Sequence, residues 1–112
     1  MKIAFPTNNQ NLKGEINLHF GRAKYYLVYD TENQSFEVLE NPEMAGKDEL
    51  PPDFLKKRGV DVVVALAMGA RAFEKFNNLG IKVYKAKGKS IDENITYFEK
   101  KQLKFLDQKD IF

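Results

Sequence analysis

The stretch Asn17–Asp30, NLHFGRAKYYLVYD, holds the one histidine of the chain, set between Leu18 and Phe20 and followed by the pair Gly21-Arg22. An imidazole beside a glycine and a guanidinium can be packing filler, a turn residue or the anchor of a ligand site. A second stretch with chemical content is AMGARAF, residues 67–73, where Met68, Gly69, Ala70 and Arg71 follow an apolar run and open a helical pattern. A helix that starts on Gly-Ala turns its first backbone N–H groups and its dipole outward with no side chain in the way, and Arg71 adds positive charge. KAKGKS, residues 85–90, opens another helix in a similar way, with Lys87 and Lys89 near its start. These residues describe a donor-rich, cationic patch around one imidazole, which favours an anionic ligand.

The composition narrows what such a patch can hold. There are no cysteines, which excludes disulfides, Cys-based zinc sites, thiol nucleophiles and iron–sulfur clusters held by the protein's own thiolates. With one histidine a His-rich cage is excluded too, so any soft metal centre must bring most of its own ligands. Serine-protease-like chemistry would rest on His19 alone, and no nucleophile elbow, P-loop or G-x-G-x-x-G motif occurs. The opening strand KIAFP has no paired carboxylates for a two-metal nuclease, and Asp61 falls at the start of a later strand, on the opposite edge. No enzyme is expected. Tyr25, Tyr26 and Tyr29 suggest a stacking platform for single-stranded nucleic acid. They alternate along a strand, however, and the net charge is only +2, so no nucleic-acid partner is expected. No apolar run approaches the roughly 20 residues that span a bilayer, and no signal-peptide h-region opens the chain. A cytoplasmic protein without membrane contact is the expectation.

The elements that must position these residues can be read from periodicity. Lys2–Pro6 is a short apolar strand, followed by a polar loop of turn formers. Tyr25–Tyr29 and Phe36–Leu39 read as antiparallel strands joined by a turn through DTENQS. LPPDFLKKRG has prolines suited to a first helical turn and Gly59 as its stop, with Leu50, Phe54 and Leu55 expected to face inward. Val60–Ala67 is almost continuously apolar, as a strand covered on both faces should be. A helix through MGARAFEKFNNLG carries Ala72, Phe73, Phe76 and Leu79 on one stripe and ends at Gly80. Ile81–Tyr84 is a further strand. SIDENITYFEKK opens on a capping box, Ser90 and Glu93, and carries Ile91, Ile95 and Phe98 on one face.

The order β-β-β-α-β-α-β-α predicts one α/β domain over residues 1–112, a mixed sheet with helices on both faces and right-handed parallel crossovers. If the first strand runs up, the carboxyl ends of the first, third, fourth and fifth strands open on one edge. Four loops collect there: Thr7–Arg22, Asn41–Glu49, Met68–Arg71 and Lys85–Ser90. Ligands of open α/β sheets sit on that edge.

MKIAFPT, the loop into HFGRAKYYLVYD, then ENP, GVDVVVALAMGARAFEKFNNLGIKVYKA and a closing helix together resemble the dinitrogenase iron–molybdenum cofactor-binding family. This is the family of NifX and the C-terminal portion of NifB, which includes small stand-alone members. The resemblance implies a three-layer ribonuclease H-like motif with a five-stranded sheet of order 3-2-1-4-5, strand 2 antiparallel. It implies a non-enzymatic carrier or accessory protein for an anionic iron–sulfur(–molybdenum) cluster or its precursor, with protein partners in cofactor assembly. His19 would be the metal-binding anchor and Gly21 would permit close approach, while Phe20, Arg22, Met68, Gly69 and Arg71 would complete the cofactor-binding set. Many members carry a histidine soon after the ENP segment; here ENPEMAGKDELPP has none. The alternative is therefore a regulatory or scaffold module that binds a small anion or a protein partner, with cluster binding lost.

Overall fold

The computed structural model describes residues 1–112. Strands β1 (Lys2–Thr7), β2 (Tyr25–Asp30) and β3 (Ser35–Glu40) precede helix α1 (Pro51–Lys57). Strand β4 (Val62–Ala65), α2 (Ala70–Asn78), β5 (Lys82–Lys85) and α3 (Ile91–Glu99) follow. The five strands lie in the order β3-β2-β1-β4-β5. β2 is antiparallel to both β1 and β3, and β4 is parallel to β1 and β5. This is the architecture expected from the element order and from the family resemblance. No helix is long and apolar enough to cross a membrane.

Alternate residues of each central strand enter different cores, because successive strand side chains point to opposite faces. Ala4, Tyr26, Val28, Val63, Ala65 and Val83 meet Phe54, Leu55 and Phe76 of α1 and α2 on one face. Ile3, Phe5, Leu27, Tyr29, Val62 and Val64 meet Ile91 and Ile95 of α3 on the other. Burying both faces is what makes VDVVVALA so uniformly apolar.

Element ends shift where backbone groups find other partners. The fourth strand is shorter than Val60–Ala67. The Val60 N–H donates to Leu55 O in the turn after α1, and past Ala65 the Ala67 carbonyl accepts from Phe20 N–H rather than from a neighbouring strand. Leu50 does not face inward. It stands 48% exposed as the residue before α1, in the extended conformation that a following proline imposes, and overhangs the sheet edge. Gly59 and Gly80 end their helices at φ of 80° and 75°, a region open to glycine at little cost.

The capping box at α3 is formed in both directions: Glu93 N–H donates to Ser90 Oγ, and Ser90 N–H donates to Glu93 Oε1. Ser90→Ala should therefore destabilise the domain by about 1 kcal/mol. Urea unfolding should show this as a lower midpoint with an unchanged slope.

Candidate functional site

His19 to Arg22 form a single turn of 3-10 helix, Phe20–Arg22, entered from His19. Three separate elements hold it. The Phe20 N–H donates to Ala67 O just beyond β4 at 3.2 Å, and the Tyr26 hydroxyl of β2 donates to Phe20 O at 3.1 Å. Asn41, fully buried at the end of β3, donates from Nδ2 to Gly21 O at 3.1 Å and to Ala23 O at 2.9 Å. The Phe20 ring is 1% exposed, with centroids 4.9 Å from Tyr26 and 5.3 Å from Phe76. Burial, and secondarily the Glu43 charge, push the Tyr26 phenol far above its ordinary range, so it stays a neutral donor to Phe20 O at any physiological pH.

With Phe20 seated in the core, its neighbours face a cleft between the α1 and α2 N-termini. One part, about 400 Å3, is lined by Phe20, Gly21, Glu43, Pro51, Gly69 and Arg71, among others. It adjoins a second part of about 280 Å3 lined by His19, Gly21, Arg22, Glu43, Gly69 and Phe112. The structure thus brings together His19, Phe20, Gly21, Arg22, Gly69 and Arg71 of the expected set. Met68 is 1% exposed in the core beneath the cleft and lines neither part. The Lys85–Ser90 loop also stays outside: Lys85 is tied to Asp110 and to Leu66 O, and Lys87 lies 4.8 Å from the Tyr97 ring.

The two glycines of the cleft are not there for backbone geometry. Gly69 has φ −69° and ψ 153°, open to any residue, and neither Gly21 nor Gly69 has a positive φ. A Cβ at Gly21 would meet nothing within 4 Å, and one at Gly69 only Phe112 O at 3.7 Å. What the absent side chains leave is open room beside His19.

Three site features were not read from the sequence. Glu43 lines both parts of the cleft; its N–H donates to Asn41 Oδ1, so it is fixed to the same residue that fixes the HFGR turn. It lay within a loop already assigned to this edge, and only its direction was missing. Lys75 lines the larger part but shares its charge with Asp53 at 3.5 Å. Phe112 carries no sequence signal, since the segment after α3 has no period. It arrives because that segment runs beside β5, with Lys85 N–H donating to Lys104 O and Leu106 N–H to Val83 O, and then crosses to Met68. The Phe112 main-chain oxygen accepts from Ala70 N–H at 2.7 Å. The α2 N-terminus is thus partly capped from within the chain, not left open as expected.

Chemically, the cleft offers one imidazole, one carboxylate, two guanidinium groups and a partly paired ammonium. Positive groups prevail, and His19 and Glu43 are the side chains lining it that can ligate a metal. Nowhere do three His, Asp or Glu side chains converge into a protein-built metal cage.

A sequence model of the family described as dinitrogenase iron–molybdenum cofactor matches residues 1–101. An uncharacterized protein of Methanocaldococcus jannaschii is 35% identical over 104 residues, 88% of this chain and 85% of its own length. A solution structure of a Thermotoga protein described as a candidate NifB is similar with a TM-score of 0.79 at 30% identity, covering 94% of this chain and 92% of that one. The apo form of the orange protein from Desulfovibrio gigas gives a TM-score of 0.84 over 94% of this chain and 92% of its own, at 24% identity, a likeness of fold alone.

Because Asn41 serves the turn and Glu43 at once, Asn41→Ala strips two carbonyls and one N–H of their partner. The cost should be about 2–4 kcal/mol. Amide exchange should speed up at Gly21 to Glu43 contacts before it does in β1 or β4, measurable by hydrogen–deuterium exchange.

Proposed function

The chain belongs to the dinitrogenase iron–molybdenum cofactor family, and we propose that it is a non-enzymatic carrier or accessory protein for an anionic iron–sulfur or iron–sulfur–molybdenum cluster or its precursor. The observation that carries this reading is the cleft lined by one imidazole and by two glycines whose missing side chains leave open room. A cluster that brings its own sulfides needs few ligands from its carrier. His19 would supply one nitrogen to a metal of the cargo, Arg22 and Arg71 would offset its charge, and Gly21 and Gly69 would leave space against the backbone. Met68 supports the cleft from below. Nothing in the cleft pairs a nucleophile with a base, which suits holding rather than transforming.

Glu43 favours a second reading. A carboxylate beside His19 opposes a strongly anionic cargo, and a smaller oxyanion held by Arg22 and Arg71 would feel it less directly. A regulatory module for a small anion, with protein partners of its own, is the resulting alternative.

Anaerobic loading with a synthetic iron–sulfur or molybdenum-containing cluster separates the two. Under the carrier reading His19→Ala should lower uptake at least about tenfold, the worth of one lost ligand of roughly 1.4 kcal/mol or more. Arg22→Ala should weaken it less, and more so at low salt. Gly21→Ala is the sharper variant. Its Cβ meets no protein atom, so stability should change by less than about 0.5 kcal/mol while uptake falls. Equal uptake by all three variants rejects the carrier. Thermal stabilisation by molybdate, tungstate or phosphate that Arg71→Ala abolishes, without cluster uptake, selects the alternative.

A further inference from the structure

The segment that follows α3 lies past the stretch matched to the family, residues 1–101, yet it ends against the site. Its last residues bond as an extra parallel strand along Met68–Ala70: Met68 N–H donates to Asp110 O, Phe112 N–H to Met68 O, and Ala70 N–H to Phe112 O. Two side-chain contacts complete it. Asp110 Oδ1 accepts from Lys85 Nζ at 2.7 Å, and the Phe112 ring stands edge-on to the His19 imidazole, centroids 5.9 Å apart at 82°.

These attachments sit where an anionic group would have to arrive. Phe112 O takes the first N–H of α2, the donor a helix N-terminus offers an anion. The Phe112 ring covers one side of the only imidazole. The hold is modest: Phe112 is 70% exposed, so its ring gains little from burial, and Asp110 Oδ2 is enclosed with no protein partner, which leaves that carboxylate half-satisfied. Leu106, by contrast, is buried in the core. The segment is therefore anchored at Leu106 and held beyond it by half-buried Ile111, three backbone hydrogen bonds and one ion pair, contacts few enough for the stretch to open locally while the domain stays folded.

We propose that residues 107–112 are a strap that closes one side of the His19 cleft, latched by the Lys85–Asp110 pair and by Phe112 on His19. It must lift before an anionic group reaches the Ala70 N–H and the side of the imidazole that Phe112 covers. As a device regulating that cleft it rests on the cargo-binding reading above, yet its opening can be read without any cargo.

Diethyl pyrocarbonate acylates imidazole with a rise in absorbance near 240 nm, and one histidine makes the signal a single site. In the full chain, Asp110→Asn cuts the ionic latch and Phe112→Ala removes the ring, and each should speed His19 acylation at least about threefold, because weakening a light latch raises the open fraction in proportion. Lys13→Ala, at an exposed position outside the strap and the cleft, should leave the rate unchanged. Thermal midpoints of the variants, taken alongside, show that the domain remains folded. Acylation at the wild-type rate in both latch variants overturns the strap, whatever they bind. With a synthetic cluster offered to the same proteins, faster uptake by both variants supports strap and carrier together. Faster acylation with no uptake by any protein keeps the strap and rejects the carrier reading, while faster acylation with unchanged uptake shows that the strap does not stand in the cargo's way and overturns the gate.

Discussion

The insertion of Phe20 into the α1/α2-side core is the contact on which the site depends. Its ring lies between Tyr26 of β2 and Phe76 of α2, and its own N–H and C=O are taken by Ala67 O and the Tyr26 hydroxyl. Burying a phenylalanine contributes roughly 1.5–3 kcal/mol, enough to fix a short turn that has no other apolar anchor. Once Phe20 points down, His19 on one side and Gly21-Arg22 on the other must face the edge of the sheet. Phe20 thus orients its neighbours while also lining the larger part of the cleft.

Asn41 extends that constraint to the other side of the cleft. Its carboxamide joins the HFGR turn to the loop after β3 through three hydrogen bonds. Glu43 is thereby held in the lining of the cavity that His19 also lines, so the cleft contains a carboxylate among its cations. The cavity is thus lined by an imidazole, a carboxylate, two glycines free of backbone strain and two guanidinium groups.

The same sheet edge is used twice. The α2 N-terminus that should attract an anion is met by the chain's own Phe112, and the ion pair that brings Phe112 there uses Lys85 at the end of β5. The hydrogen bond from Lys85 holds the Asp110 carboxyl below its ordinary range, so the pair is intact at neutral pH. The capping segment lies past the residues matched by the family model, 1–101.

The element order and the edge on which ligands gather were legible in the sequence because they follow from local periods: continuous apolar runs for doubly covered strands, helical stripes, and glycine or capping-box stops. His19, Arg22, Gly69 and Arg71 could be placed on that edge because topology alone assigns loops to edges. Side-chain direction was not legible. That Met68 sinks into the core and that Leu50 and Glu43 line the cleft depends on packing against residues distant in sequence. The final eleven residues were the least legible, since they have no period of their own and take their path from the exposed side of β5, the Lys85 ammonium and the donors at Met68 and Ala70. Local propensity determined the elements and their order. Which groups face the cleft, and that the chain itself covers it, were decided only when buried side chains and unpaired backbone groups found partners across the fold.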